Sequence, residues 1–329
     1  MQFSVIKAIP VIKCDAMTFD PMTDILKAGG NAVDSAIATL IGIGVVNPQS
    51  SGIGGSCLMT IYDASLKKAF SIDARGTAPS ASNSTMFIGK SEDAVLGWKA
   101  SILPGEIHGF WTAFKQFGSG RISWKDIFEP SIKLARRGFP VSKSLALVLK
   151  QKEKDIFGDE HMRNHFVNPK TKNLFEEGEI IKRETLANTL ELIGNAEDPV
   201  KLFYQDGIIA KTIAKEFKEN GGIITAEDLA NFKAIVDENP LQSSLALNES
   251  DLIMCGPPPP SSFGITSAIV GIMAEFYNGK QDDDGTLNDT KVYHRLIEAQ
   301  KFAYSYRTKF ADPDFSKEAL EVSQKMMKS

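Results

Sequence analysis

The most informative chemical group in this sequence is an arginine at the end of an apolar run. Residues 71–80 read SIDARGTAPS, so Arg75 follows a predicted β-strand and directly precedes Gly76. A guanidinium at such a position needs an anionic partner, and its planar fork can donate two parallel hydrogen bonds to a carboxylate. Two interpretations are open from the residues alone: Arg75 binds the carboxylate of a ligand, or it forms a structural ion pair with Asp73 or another acid.

Two loops have the composition of an anion pocket. Residues 50–56 read SSGIGGS and residues 257–264 read PPPPSSFG. Loops of this kind are dense in backbone N–H groups and small hydroxyls, the groups from which anion sites are made. The glycines do not match the dinucleotide motif G-x-G-x-x-G, which favours close packing and a tight turn over nucleotide binding.

No other group of residues predicts a catalytic or metal site. His161 and His165 are four residues apart, but Met162 stands where a zinc protease has glutamate. The acidic run at 282–285 lacks the alternating spacing of a calcium loop. The sequence has no C-x-x-C and no G-x-S-x-G. We therefore expect neither a cofactor nor a metal, and no nucleophile with a visible base.

Composition and charge exclude several classes of protein. The chain has 329 residues, of which 43% are hydrophobic and 24% charged, as in an average globular protein. A net charge of −4 argues against nucleic acid as the main partner, because phosphate binding needs a dense basic face. The most apolar stretch, 36–46, is shorter than the ~20 residues of a membrane span. The start, residues 1–15, has Lys7 inside its apolar part and predicts a β-strand rather than a signal peptide. N-x-S/T sequons at Asn83, Asn248 and Asn288 favour an extracellular location only weakly.

Apolar periodicity predicts many helices and few strands. Strands are expected at 57–64 and 67–74, as a hairpin, and at 251–256. Helices are expected near 20–28, 32–46, 105–118, 123–138, 142–156, 184–194, 206–219, 225–233, 265–277 and 291–310. The strands are too few to close a sheet between helical layers, which predicts that another chain supplies the rest. No repeat or linker marks a domain boundary.

Several motifs together resemble one family. GGNAVDSAIATLIGIGVVNPQSSGIGGSCLMTIYD is followed by IDARGTAP, LPGEIHGFWTAFKQFG, FEPSIKLARRGFPVS, GGIITAEDLANF and PPPPSSFG, across residues 27–310. In this order they resemble the γ-glutamyltransferase (glutathione hydrolase) family. The resemblance implies an α/β (α+β) fold, the αββα sandwich of N-terminal-nucleophile hydrolases. This chain, 1–329, would be a single large-subunit domain, helix-rich with an incomplete sheet.

The same resemblance implies an activity. The family precursor cleaves itself, and the new N-terminal threonine of the small subunit is the nucleophile that carries the γ-glutamyl group as an acyl-enzyme. Glutathione and other γ-glutamyl compounds would be substrates, water or an amine the acceptor, and the location extracellular or at the cell surface. Arg75 matches the family arginine that binds the substrate α-carboxylate. The resemblance assigns no catalytic residue, metal or cofactor to this chain.

Three departures from the family pattern qualify that expectation. Gly76 replaces the usual glutamate after the arginine, which predicts a less firmly oriented Arg75, and Ser56 and Cys57 stand where the family often has more glycine. Up to Ser329 there is no counterpart of the T-x-H processing site, so this chain alone is expected to be inactive without a small subunit. Two alternatives are an inactive scaffold or binding chain, and a cephalosporin-acylase-like relative that shares the fold.

Overall fold

The computed structural model of the chain describes residues 21–247, 250–277 and 289–327. Predictions that fall outside these residues concern the N-terminal strand at 1–15, the acidic run at 282–285 and N-x-S/T sequons at Asn248 and Asn288. A third sequon lies within them, and its Asn83 is exposed. None of the described helices combines the length and apolarity that crossing a bilayer requires.

The described residues form two compact units. The first comprises Met1–Ser56 with Arg75–Lys233, and the second Cys57–Ala74 with Ala234–Ser329, each taken over its described part. The expectation of a single domain over the whole chain stays a prediction.

Helices are the commonest regular element in both units. The first unit contains α1 (Pro21–Lys27), α2 (Ala32–Val46), α3 (Glu106–Phe117), α4 (Trp124–Arg137), α5 (Lys143–Gln151), α6 (Glu153–Gly158), α7 (Glu160–Phe166), α8 (Glu184–Gly194), α9 (Pro199–Tyr204), α10 (Ile208–Glu219) and α11 (Ala226–Asn231). The second contains α12 (Phe263–Tyr277), α13 (Asp289–Ser305) and α14 (Lys317–Met326). The predicted helix at 142–156 is wrong in one respect, because the chain breaks at Lys152 into α5 and α6.

The described strands form three small antiparallel sheets. They are β1 (Cys57–Asp63), β2 (Lys68–Ala74), β3 (Phe139–Pro140), β4 (Ile180–Ile181), β5 (Ile235–Asp237), β6 (Leu241–Leu247) and β7 (Ser250–Gly256). Their order is β1-β2-β5, β3-β4 and β6-β7. The predicted hairpin is confirmed, with Cys57 opposite Ala74 and Asp63 opposite Lys68. The strand at 251–256 is confirmed as β7, whereas its partner β6 was not predicted.

Helix α2 forms where the sequence predicts it because its start is capped. The Asn31 side-chain oxygen accepts hydrogen bonds from the N–H groups of Val33 (2.9 Å) and Asp34 (3.1 Å), and the Asp34 carboxylate accepts from the Asn31 N–H at 3.0 Å. This reciprocal arrangement satisfies N–H groups that the first turn leaves unpaired. The helix buries Ile37, Ile41 and other side chains against α1, α3 and α4.

Helix α4 is the other central element of the first unit. Ser123 caps its start, and Gly138 ends it with a φ of 92°, a value that favours glycine. Its apolar face, which includes fully buried Ile127 and Phe128, packs against α8. The Trp124 indole N–H donates to the Ile193 carbonyl at 3.1 Å and fixes the pair.

The second unit has its own core. Helices α12, α13 and α14 and the turn after α13 bury a cluster of apolar side chains, Ile265, Ala303, Phe310, Val322 and Met326. Strands β1 and β5 lie at the two edges of the three-stranded sheet. One face of β1 exposes Leu58 and Tyr62, which are 37% and 48% exposed.

Candidate functional site

Arg75 lies one residue beyond the end of β2. That strand is anchored by buried Phe70, Ile72 and Ala74, whereas the Arg75 side chain is exposed. The next residue contacts the glycine loop, since the Gly76 N–H donates a hydrogen bond to the Ser56 hydroxyl oxygen at 2.7 Å. The structure therefore brings together two features that the sequence singled out, Arg75 and the SSGIGGS loop at 50–56.

The glycine loop is folded back on the end of α2. The Asn47 carbonyl accepts from the N–H groups of Ser50 (3.0 Å) and Ser51 (3.1 Å), and the Gly55 N–H donates to the Gly52 carbonyl at 2.8 Å. At Gly44 a Cβ would lie 3.0 Å from the Gly52 Cα, so helix and loop backbones touch. Glycine is needed at this approach because a side chain would have to displace backbone.

A half-buried arginine fixes the helix end from which the loop departs. The Arg183 guanidinium donates to the carbonyl oxygens of Gly44 and Val45, each at 3.0 Å. Those carbonyls belong to the last turn of α2. Carbonyls at the end of a helix have no intrahelical donor, and their partial negative charge attracts a cation. Burial lowers the pKa of Arg183 to about 10, so the side chain is still charged at neutral pH.

The segment before α3 forms the third side of the site. The Gly55 carbonyl accepts from the N–H groups of Gly105 (2.8 Å) and Glu106 (3.1 Å), and the Leu103 N–H donates to the Thr77 carbonyl at 2.9 Å. Residues 103–106 thus hold both the glycine loop and the chain that follows Arg75. These bonds join segments roughly 25 to 50 residues apart in sequence, which gives the site a defined backbone geometry.

The same segment explains the glycine that follows Arg75. A Cβ at residue 76 would overlap the Leu103 carbonyl oxygen and would lie 2.9 Å from the Ile102 Cδ1. Leu103 is buried and its backbone is hydrogen-bonded to Thr77, so it cannot easily move away. Gly76 is therefore required here by space.

A cavity of about 430 Å³ lies against the glycine loop, lined by residues 48–52 and 54–56 and by Glu106. The Glu106 side chain is almost fully enclosed, and the residue is only 4% exposed. This burial raises the pKa of its carboxyl to about 8, so the group is mostly protonated at neutral pH. Among the described residues, neither its Oε2 nor the Gln49 Oε1 has a hydrogen-bond partner.

Sequence reasoning missed both Ser56 and Glu106 as parts of the site. Ser56 appeared only as one of the hydroxyls of the loop 50–56 and as a departure from a glycine pattern, and Glu106 only as a residue at the start of a predicted helix. One signal could have found Glu106: it stands in the apolar run LPGEIHGF, where an isolated carboxylate is costly to bury.

The proline loop belongs to the second unit. Its Ser261 hydroxyl donates to the Pro257 carbonyl at 2.6 Å, and the Ser261 N–H donates to the Pro258 carbonyl at 3.1 Å, which makes it a tight local turn.

His161 and His165 lie on the short helix α7. Within the described ranges, no three His, Cys, Asp or Glu side chains are grouped so that they could hold a metal ion.

The fold is that of an N-terminal-nucleophile hydrolase of the γ-glutamyltranspeptidase type. The structure of the γ-glutamyltranspeptidase of Helicobacter pylori superposes with a TM-score of 0.79 at 26% identity, covering 95% of this chain and 89% of that chain. The expected fold class is confirmed.

Sequence comparison gives the family. The family model for γ-glutamyltranspeptidase matches residues 22–329. The chain is 39% identical to Scoloptoxin SSD14 of Scolopendra dehaani over 87% of its own length and 48% of the relative's. It is 33% identical to glutathione hydrolase 3 of Arabidopsis thaliana over 96% of its length and 47% of that protein. The chain belongs to the γ-glutamyltranspeptidase family, and it spans about half the length of these curated relatives.

Proposed function

We propose that this chain is the large-subunit portion of a glutathione hydrolase that transfers the γ-glutamyl group of glutathione to water or to an acceptor amine. In this function Arg75 binds the α-carboxylate of the γ-glutamyl substrate. The observation that carries the proposal is the exposed Arg75 next to a glycine loop whose Ser56 bonds the following peptide N–H. An arginine whose backbone is preceded by a strand and followed by that bond can present its planar guanidinium to a carboxylate.

The lengths of the matching proteins support the subunit role. The chain spans about half of the curated relatives, yet its match covers 89% of the solved Helicobacter pylori chain. This is the relation expected if the chain corresponds to one of two chains that together make the working protein. The nucleophile would then come from the small subunit, as an N-terminal threonine.

The sheet edges are consistent with a partner that completes the sheet. Strands β1 and β5 have one neighbour each in the three-stranded sheet, and β1 exposes the apolar side chains of Leu58 and Tyr62. Edge strands with exposed apolar residues favour pairing with another strand. We propose that the small subunit covers the face of β1 that exposes Leu58 and Tyr62.

The test uses the protein expressed from its full reading frame and a γ-glutamyl anilide substrate. Arg75→Ala should lower kcat/KM about thirtyfold to several-thousandfold, because leaving a carboxylate unpaired in a partly dry pocket costs about 2–5 kcal/mol. Most of the change should appear in KM, since the α-carboxylate is remote from the scissile amide and is bound similarly in ground and transition states. Arg75→Lys should recover only part, because an ammonium cannot reproduce the planar fork.

Two controls make the result specific. A substrate analogue that lacks the α-carboxylate should be nearly indifferent to Arg75→Ala. Arg121→Ala removes another exposed arginine of the same unit and should leave KM unchanged. If Arg75→Ala lowered thermal stability but not substrate affinity, Arg75 would be a structural ion-pair residue instead.

The same assay separates the alternatives. This chain produced alone should show no turnover, because an arginine can position a substrate but cannot form an acyl-enzyme. A full-frame protein that binds γ-glutamyl compounds without turning them over would support a binding or scaffold chain. Preference for a cephalosporin amide over a γ-glutamyl amide would support the acylase-like alternative.

A further inference from the structure

We infer that Ser56 is a positioning residue for Arg75, a role that rests on the proposed binding of a carboxylate by Arg75. The Ser56 hydroxyl oxygen accepts a hydrogen bond from the Gly76 N–H at 2.7 Å. That N–H belongs to the peptide formed with the Arg75 carbonyl carbon. The bond therefore restrains the backbone torsion that sets the direction of the arginine side chain.

The strand register shows why this bond is needed. Ladder pairing of β1 and β2 ends with Cys57 opposite Ala74. By the same register, Ser56 and Arg75 would be the next opposite pair, but both lie outside the strands. Beyond the last ladder pair, the Gly76 N–H donates to the Ser56 side-chain hydroxyl and not to a main-chain carbonyl of the neighbouring strand. Arg75 is thus restrained from both sides, by the β2 ladder before it and by Ser56 after it.

Residue 76 itself cannot provide this restraint. A Cβ at this position would overlap the Leu103 carbonyl oxygen, so no side chain can be placed there without moving backbone. The restraint comes instead from a serine 20 residues earlier in the sequence.

The alternative is that Ser56 only stabilises the end of the hairpin, and a double-mutant cycle separates the two roles. Ser56→Ala should raise KM for a γ-glutamyl anilide roughly threefold to tenfold with little change in kcat, which converts to about 0.7–1.4 kcal/mol and is the size expected for one hydrogen bond. Ser56→Thr keeps the hydroxyl at an exposed position and should restore most of the affinity. In the Arg75→Ala background, Ser56→Ala should change KM less than twofold, since coupled residues are not additive.

The matched control is Ser65→Ala at the opposite end of the same hairpin. The Ser65 hydroxyl donates to the Asp63 carboxylate at 2.6 Å, so this variant also removes a hairpin hydrogen bond. It should leave KM unchanged, with any loss of thermal stability comparable to that of Ser56→Ala. The dissociation constant of glutathione, measured by calorimetry on the same variants, gives the same comparison for a protein without turnover.

The outcomes distinguish a failure of the proposed function from a failure of the positioning role of Ser56. If Arg75→Ala leaves KM and the glutathione affinity unchanged, or glutathione does not bind the unmodified protein, the proposed function is wrong and the role of Ser56 falls with it. If Arg75→Ala weakens binding but Ser56→Ala has no effect, or has the same effect with and without Arg75, the proposed function stands and the positioning role is wrong.

Discussion

Replacing Gly76 by alanine tests whether the site is as tightly closed as the contacts indicate. In the structure the new methyl group would lie well inside 3.0 Å of the Leu103 carbonyl oxygen, a separation that real Cβ atoms essentially never show. The strain could be relieved only by moving residue 76 or residues 102–105. The first movement loses the bond to Ser56, and the second loses the bonds from Leu103 to Thr77 and from Gly105 to Gly55.

The expected change in the free energy of unfolding is the sum of three contributions. Overpacking a well-packed site costs typically about 1–3 kcal/mol. Loss of one or two of the hydrogen bonds adds about 1 kcal/mol each. Against this, alanine restricts the unfolded chain and stabilises the protein by about 0.4–1 kcal/mol where the native backbone accepts it. The unfavourable terms dominate, and we expect Gly76→Ala to lower the free energy of unfolding by about 2–4 kcal/mol.

The assay is urea unfolding followed by circular dichroism, with the midpoint and slope compared between variants. Gly54→Ala is the matched control, because it lies in the same glycine loop, has no positive φ and has open space where the Cβ would be. It should be neutral or slightly stabilising. Equal stability of Gly76→Ala and the unmodified protein would show that residues 102–105 yield freely, and the steric reason given for Gly76 would be wrong.

Two further predictions concern pH. Because burial raises the pKa of Glu106 to about 8, the folded protein keeps a proton that the unfolded chain releases, and stability falls as pH rises from about 4.5 to about 8. Glu106→Gln should remove about 3 kcal/mol of the decline in unfolding free energy between pH 5.5 and 8.5, whereas Glu177→Gln at an exposed site should not. Burial would raise the pKa of Asp228, but hydrogen bonds from Ser80 and Thr225 outweigh it and lower this pKa to about 2. Its stabilisation of about 2 kcal/mol is complete above pH 4 and lost as pH falls towards 2, so Asp228→Asn should remove that acid-induced loss in unfolding experiments.

Local signals made much of the fold predictable. The start of α2 at Asn31 and both ends of α4, at Ser123 and Gly138, follow from capping residues within a turn of the helix. The β1–β2 hairpin follows from two apolar runs separated by a short polar turn. Strand β6 was missed because its sequence LQSSLAL carries two adjacent serines and no clear alternation, and only pairing with β7 makes it a strand.

The site was predictable only in part, for the opposite reason. Arg75 was recognisable because a charged fork at the end of an apolar strand is chemically out of place. Ser56 and Glu106 depend on partners about 20 and 50 residues away, and no periodicity or local motif reveals such contacts. The reason for Gly76 is likewise a carbonyl oxygen that only the folded chain brings near.

The way the glycine loop is held has a consequence for the thermodynamics of binding. Asn47 closes its first turn, Gly52 touches α2, and the Gly55 carbonyl receives two N–H groups from the start of α3. Ordering a free backbone costs roughly 1–2 kcal/mol per residue, and here that entropy is lost when the protein folds, not when a ligand arrives. A small ligand with few groups to contact could therefore bind with a useful net affinity, because the surface that receives it is already in place.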